Sequence, residues 1–173
     1  EMLLQVYPQA CKVVDNQGLI PLFLCVMRDD ISADICKAIC KANPEGPTAR
    51  NRTGSFPLHF AAKRARPNKD ILRILLRRNP SAAMVKNDFG LLPLHCLSVM
   101  SDDVTAAEMI YQAAPEAVQE PDRQGRTCLH LAVLSTGKEH AQAVVKEEEE
   151  ILMEAMQKQQ QQQQQHIHGR SSE

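Results

Sequence analysis

Apolar residues recur along the chain in spaced pairs: Ile35, Cys36, Ile39 and Cys40, then Ile71, Leu72, Leu75 and Leu76, then Ala106, Ala107, Ile110 and Tyr111. A spacing of i, i+1, i+4 and i+5 puts each set on one stripe of a helix, with charges and amides on the other side. Ahead of each stripe lies a denser apolar run opened by a glycine. These runs are Gly18-Leu-Ile-Pro-Leu-Phe-Leu-Cys25, Gly54-Ser-Phe-Pro-Leu-His-Phe-Ala61 and Gly90-Leu-Leu-Pro-Leu-His-Cys-Leu97, with a fourth, Gly125-Arg-Thr-Cys-Leu-His-Leu-Ala132, that lacks the proline. The glycine permits a turn with positive φ, and the proline presets the first turn of a helix, where its missing N–H is no loss. The pattern predicts a short first helix, at 57–65 in the second unit, and a longer second helix after it.

The glycines stand 36, 36 and 35 residues apart, and a proline precedes each by ten: Pro8, Pro44, Pro80 and Pro115. The shortening by one residue therefore falls between Gly90 and Pro115. Polar breaks at 29–32, 66–68 and 101–103 supply the Asp, Asn and Ser that cap helix starts. Each second helix ends at Asn-Pro or Ala-Pro, because the residue before proline is pushed out of helical geometry. One such hairpin cannot bury its own stripe, so the units must stack into a continuous core.

The Pro-Leu-His-x-Ala stretch after a glycine turn, the paired helices and the period resemble ankyrin repeats over residues 1–140. The resemblance implies an all-α solenoid of helical hairpins with long loops and units near 1–17, 18–53, 54–89, 90–124 and 125–156. It also implies that His59, His95 and His130 hydrogen-bond within and between repeats. Phe23 replaces the histidine in the first full unit; Ile20, Phe56 and Leu92 replace a threonine that only Thr127 keeps; and prolines replace the glycine that usually follows the second helix. An irregular loop is expected there. Met2, Leu3 and Leu4 align with Ile74, Leu75 and Leu76, so the chain is expected to open inside a second helix of a longer array. At 140–156 the stripe continues as a charged, capping helix ending the array near Met156, and the glutamine-rich 157–173 is expected to be a disordered tail.

Apolar residues are 43% of the chain but aromatics only 3%, with no Trp, so the core is aliphatic and suits closely spaced helices. The six cysteines lie mostly within apolar helical runs, and nothing resembles a signal peptide or membrane span. Reduced thiols and a cytoplasmic or nuclear location follow as expectations. Cys36 and Cys40 align with Leu72 and Leu76, which favours packing over a metal site. Cys96 follows His95 whereas Cys128 precedes His130, so the two pairs share no zinc or catalytic geometry. No phosphate loop, nucleophile elbow or metalloprotease helix is present, and neither an enzyme activity nor a cofactor is implied.

Charge is distributed unevenly. Residues 50–86 hold ten bases and one acid, a net +9, against −2 before them and −8 after. Such a field draws acidic partners. Ankyrin-like proteins use loop tips and first-helix faces, which implies partner contacts at Arg50, Arg52, Lys63, Arg64 and Arg66 and at the next loop tips, Asn87, Phe89 and Arg123. Arg73 and Arg77 belong on the outer face. The function expected is a protein-interaction scaffold with an acidic protein partner. Nucleic acid or anionic lipid on the basic middle is the alternative, weakened by the few aromatics and the acidic C-terminal third.

Overall fold

A computed structural model describes residues 6–16, 18–28 and 30–135. The expectations for Met2 to Leu4, for the charged helix, for the array boundary and for the glutamine tail lie outside the described residues. Those residues form seven α-helices and no strand: α1 Pro21–Met27, α2 Ala33–Ala42, α3 Pro57–Ala62, α4 Lys69–Arg78, α5 Pro93–Met100, α6 Val104–Ala113 and α7 Cys128–Ser135. Helices α1, α3, α5 and α7 stack in one row and α2, α4 and α6 in a second, each pair closing into a hairpin. Short 3₁₀ turns at Pro8–Lys12, Gly46–Thr48, Pro80–Met84 and Pro115–Val118 lead back to the first row.

The punctuation works as its chemistry requires. Pro21, Pro57 and Pro93 occupy the first turns of α1, α3 and α5. Gly90 has φ +78°, and a Cβ there would lie 2.9 Å from the backbone nitrogen of Arg123, so both conformation and close approach demand glycine. Asn68 caps α4 by accepting the amides of Asp70 and Ile71, and Asp103 caps α6 by accepting that of Ala106.

Helix α3 stops at Ala62, short of the expected residue 65. Lys63 leaves helical geometry with ψ 50°, and Pro67 a few residues on bars a helical approach. The connection between the helices thus spans 63–68 in this hairpin but only 101–103 in the third, where α5 runs on to Met100. The one-residue difference in period sits there.

Leu22, Phe23, Leu58, Leu72, Leu75, Leu92, Leu97 and Ile110 are among the large, fully buried core side chains, and all six cysteines are buried thiols. Cys36 and Cys40 pack in the core as their alignment with leucines predicts. Hydrogen bonds to the sulfurs of Cys25 and Cys40, together with burial, push the Cys36 thiol upward. Ile35 departs from expectation at 40% exposed, whereas Ile71 is 2% exposed. Ile20, Phe56 and Leu92 are buried, so the departures from threonine add apolar surface to the core.

Polar contacts fix the register between hairpins. Asn79 Nδ2 donates to the Pro47 carbonyl at 3.2 Å and Asn43 Nδ2 to that of Cys11 at 3.1 Å, each reaching back 32 residues. Asn79 Oδ1 also accepts the Ser81 hydroxyl at 2.8 Å, whereas the buried Asn43 Oδ1 has no partner among the described residues. The position equivalent to Ser81 is Glu45, which offers no hydroxyl. Removing a buried hydrogen-bond partner costs about 1–3 kcal/mol. Asn79→Ala should therefore lower urea-unfolding stability by about that much, while Glu45→Ser should raise it by up to about 1 kcal/mol by satisfying Asn43.

Candidate partner-binding surface

The loop before each first-row helix is a finger built on an Asn or Asp three residues ahead of the glycine: Asp15, Asn51, Asn87 and Asp122. Asn51 Oδ1 accepts the amides of Thr53 at 3.0 Å and Ser55 at 2.9 Å; Asn87 Oδ1 accepts those of Phe89 and Leu91, both at 3.0 Å; Asp122 Oδ1 accepts those of Gln124 and Arg126. The same residues close the base of the finger through the backbone, as in Asn87 N–H to Leu91 O at 3.0 Å and Gly90 N–H to Asn87 O at 2.9 Å. Neighbouring fingers are joined, Asp88 N–H donating to Thr53 O at 3.0 Å and Asn87 Nδ2 to Ser55 Oγ at 3.2 Å. The loops are thus regular despite the prolines, without forming strands. Their signal was an Asn or Asp in phase with the glycines, an Asx-turn signature.

Asn87, expected among the partner contacts, is 8% exposed and its amide is engaged inside the finger. Its place is structural. Phe89 at the tip of that finger is 60% exposed. Lys63, Asn87 and Phe89 come together along a groove of about 110 Å³ that Phe60 and Leu91 also line. Arg50 stacks its guanidinium over Phe56, 4.8 Å from the ring centroid. Arg52 and Arg123 belong to finger tips that cross Gly18 and Gly90 of the preceding unit.

Lys63, Arg64 and Arg66 gather at the far end of α3, around a second and larger depression of about 700 Å³. Lys63 borders both depressions. The eight candidate residues therefore do not form one site: three line the groove, three line the cleft with Lys63 shared, and Arg50, Arg52 and Arg123 lie outside both linings. Arg28 and Met100, which also line the cleft, carried no signal in sequence because they come from different units.

Part of the basic charge is paired within the chain. Lys69 meets Asp103 at 2.8 Å, Lys86 meets Glu120 at 2.7 Å, and Arg73 pairs with Asp70 on α4. Arg73 and Arg77 are exposed on the second row, as expected. Burial alone would raise Asp103, but the bonds from Lys69 and the Ala106 amide hold it below the usual range. Asp122 behaves alike under Arg126, and the Lys86 bond lowers Glu120. No three metal-ligating side chains come together among the described residues.

His59 and His95 link the units from beneath this surface. His59 Nδ1 accepts the Phe56 amide at 3.1 Å and Nε2 donates to the Leu91 carbonyl of the next finger at 3.1 Å; His95 repeats this with Leu92 and Arg126. His130 makes the local bond to Thr127. Phe23 replaces the cross-unit bond with an edge-to-face contact to Phe60, centroids 5.4 Å apart. Burial pushes His59 down to about 4 and lowers His95.

A protein-family model described as "Ankyrin repeats (3 copies)" matches residues 58–155. The chain belongs to the ankyrin-repeat family. Ankyrin repeats are in general protein-interaction modules and typically non-catalytic. No curated protein matches the chain. No helix among the described residues is long and apolar enough to cross a membrane.

The neutral histidines should make this array acid-sensitive. The unfolded chain binds a proton at His59 below about 6.5, but the folded one does so only below about 4. Stability should fall as pH drops from about 6.5 to about 4, by about 3 kcal/mol from His59. The lowered carboxylates of Glu120, Asp103 and Asp122 add a loss of their own that begins at the acid end of that window. His59→Leu should be less stable at pH 7.5 by about 1–3 kcal/mol and lose stability less steeply across the window. Thermal unfolding from pH 4 to 8 reads both effects, and parallel profiles for the two proteins would contradict this account.

Proposed function

We propose that this ankyrin array is a scaffold that binds an acidic protein on its finger tips and first-row helix faces, with no chemistry of its own. Arg50, Arg52, Lys63, Arg64, Arg66, Phe89 and Arg123 face the partner in this reading, and Asn87 holds the finger that presents Phe89. The observation that carries it is Phe89, an aromatic side chain 60% exposed beside a lysine on a hydrogen-bonded finger. Exposed aromatics on rigid supports anchor interfaces at little entropic cost, and adjacent cations select an acidic partner. A reducing compartment, cytoplasm or nucleus, suits six buried cysteine thiols.

A photo-crosslinking residue placed at Phe89, and separately at Arg77 on α4, tests the reading in extract. Crosslinks to a protein with an acidic surface should form from position 89 and not from 77. Arg52→Glu with Lys63→Glu should abolish them with helical circular dichroism unchanged. Capture should also weaken as salt rises from about 0.1 M to about 1 M, where the screening length shrinks from about 10 Å to about 3 Å. Equal crosslinking from both positions, or competition by duplex DNA at physiological salt, would contradict the proposal.

A further inference from the structure

The cleft at the far ends of α1, α3 and α5 lies away from the finger tips. Its floor is closed by core residues, Val26 and Ala61 each 3% exposed and Ile71 2% exposed, so the apolar surface it offers is that of Met100, 41% exposed. Its rim carries Arg28, Lys63, Arg64 and Arg66, with Met100 closing the side nearest the third unit, and no carboxylate among the lining residues. Arg64 forms one wall, donating to the Met27 carbonyl at the end of α1 and tying the two hairpins together. Arg28 is held at 2.5 Å by Asp30, outside the lining. Lys63 and Arg66 make no ion pair among the described residues and are exposed. The opening exists because the 63–68 connection is the longest of the three hairpin turns, with α3 stopping early at Ala62.

A hollow with one exposed apolar wall and a cationic rim matches one kind of occupant better than a bare polyanion. Carboxylates alone would meet the rim and leave Met100, 41% exposed, in water. An acidic segment carrying one aliphatic side chain would cover Met100 and answer the rim together. We propose that this cleft is a docking site for an acidic peptide segment of a partner protein, which lays a leucine-like side chain against Met100 between carboxylates held by Lys63 and Arg66. This rests on the scaffold reading and gives it a second contact point, continuous with the finger groove through Lys63.

The test is fluorescence anisotropy on the full chain, with a fluorescein-labelled peptide of glutamates around one central leucine and the same peptide with serine at its centre. Arg66→Glu removes rim charge, and Ala65→Trp fills the mouth from an exposed position without changing charge. Each should weaken binding by about tenfold or more, with circular dichroism unchanged. The serine peptide should bind several-fold more weakly. Arg77→Glu, the same charge change on the exposed face of α4 and outside both linings, should leave affinity within about twofold. Failure of the parent chain to bind the peptide, or indifference to both cleft variants, would overturn the proposal. Dependence on Arg52 and Phe89 instead would remove the cleft and leave the finger reading standing. Equal affinity for both peptides, with displacement by duplex DNA or phosphatidylserine vesicles, would make the cleft a general anion patch and overturn it as well.

Discussion

A buried neutral imidazole bridging two units is the interaction on which the rest of this array depends. A helical hairpin of this size has one apolar stripe and nothing of its own to cover it, so everything turns on how one hairpin lies against the next. The His59 bond to Leu91 O and the His95 bond to Arg126 O fix that alignment from the first row. Asn43 and Asn79 do the same through the turns that follow the second row. With the register set, Leu58, Leu72 and Leu92 fall into a shared core, and the fingers meet closely enough that Gly90 must be glycine.

What was legible in the sequence is what the backbone demands at fixed places. Gly54 and Gly90 needed positive φ, Pro57 and Pro93 needed a helix start, and Cys36 and Cys40 stood where leucines stand in the next unit. Less legible were features that depend on neighbours. The early end of α3 follows from Lys63 leaving the helix ahead of Pro67, a local event that the apolar run conceals. Ile35 has the same pattern as Ile71 yet is 40% exposed where Ile71 is 2% exposed. Asn87 looked like a surface residue because its loop is at the surface, yet its amide turns inward to hold the finger. The cleft was invisible because Arg28, Arg66 and Met100 are far apart in sequence and meet only when three units stack.

Charge and architecture divide the work. Cations on the second row and at the finger bases are partly neutralised by Asp70, Asp103 and Glu120, which support neighbouring turns. Such exposed pairs contribute little to stability. The bases around α3 are presented by an end, a turn and a finger that the core holds in place. A scaffold of this kind recognises a partner with little reorganisation, so its selectivity comes from the placement of a few side chains around Phe89 and Lys63.

The central claim is that the units opened by Gly54, Gly90 and Gly125 are held to one another through the histidine bridges of His59 and His95. Amide hydrogen exchange on His95→Ala measures this residue by residue. If the bridge couples the units, protection should fall together in α5, where His95 sits, and in α7, which follows the Arg126 carbonyl that His95 holds. A loss confined to α5, with α7 as protected as in the parent chain, would show that the units do not depend on this contact and would contradict the account.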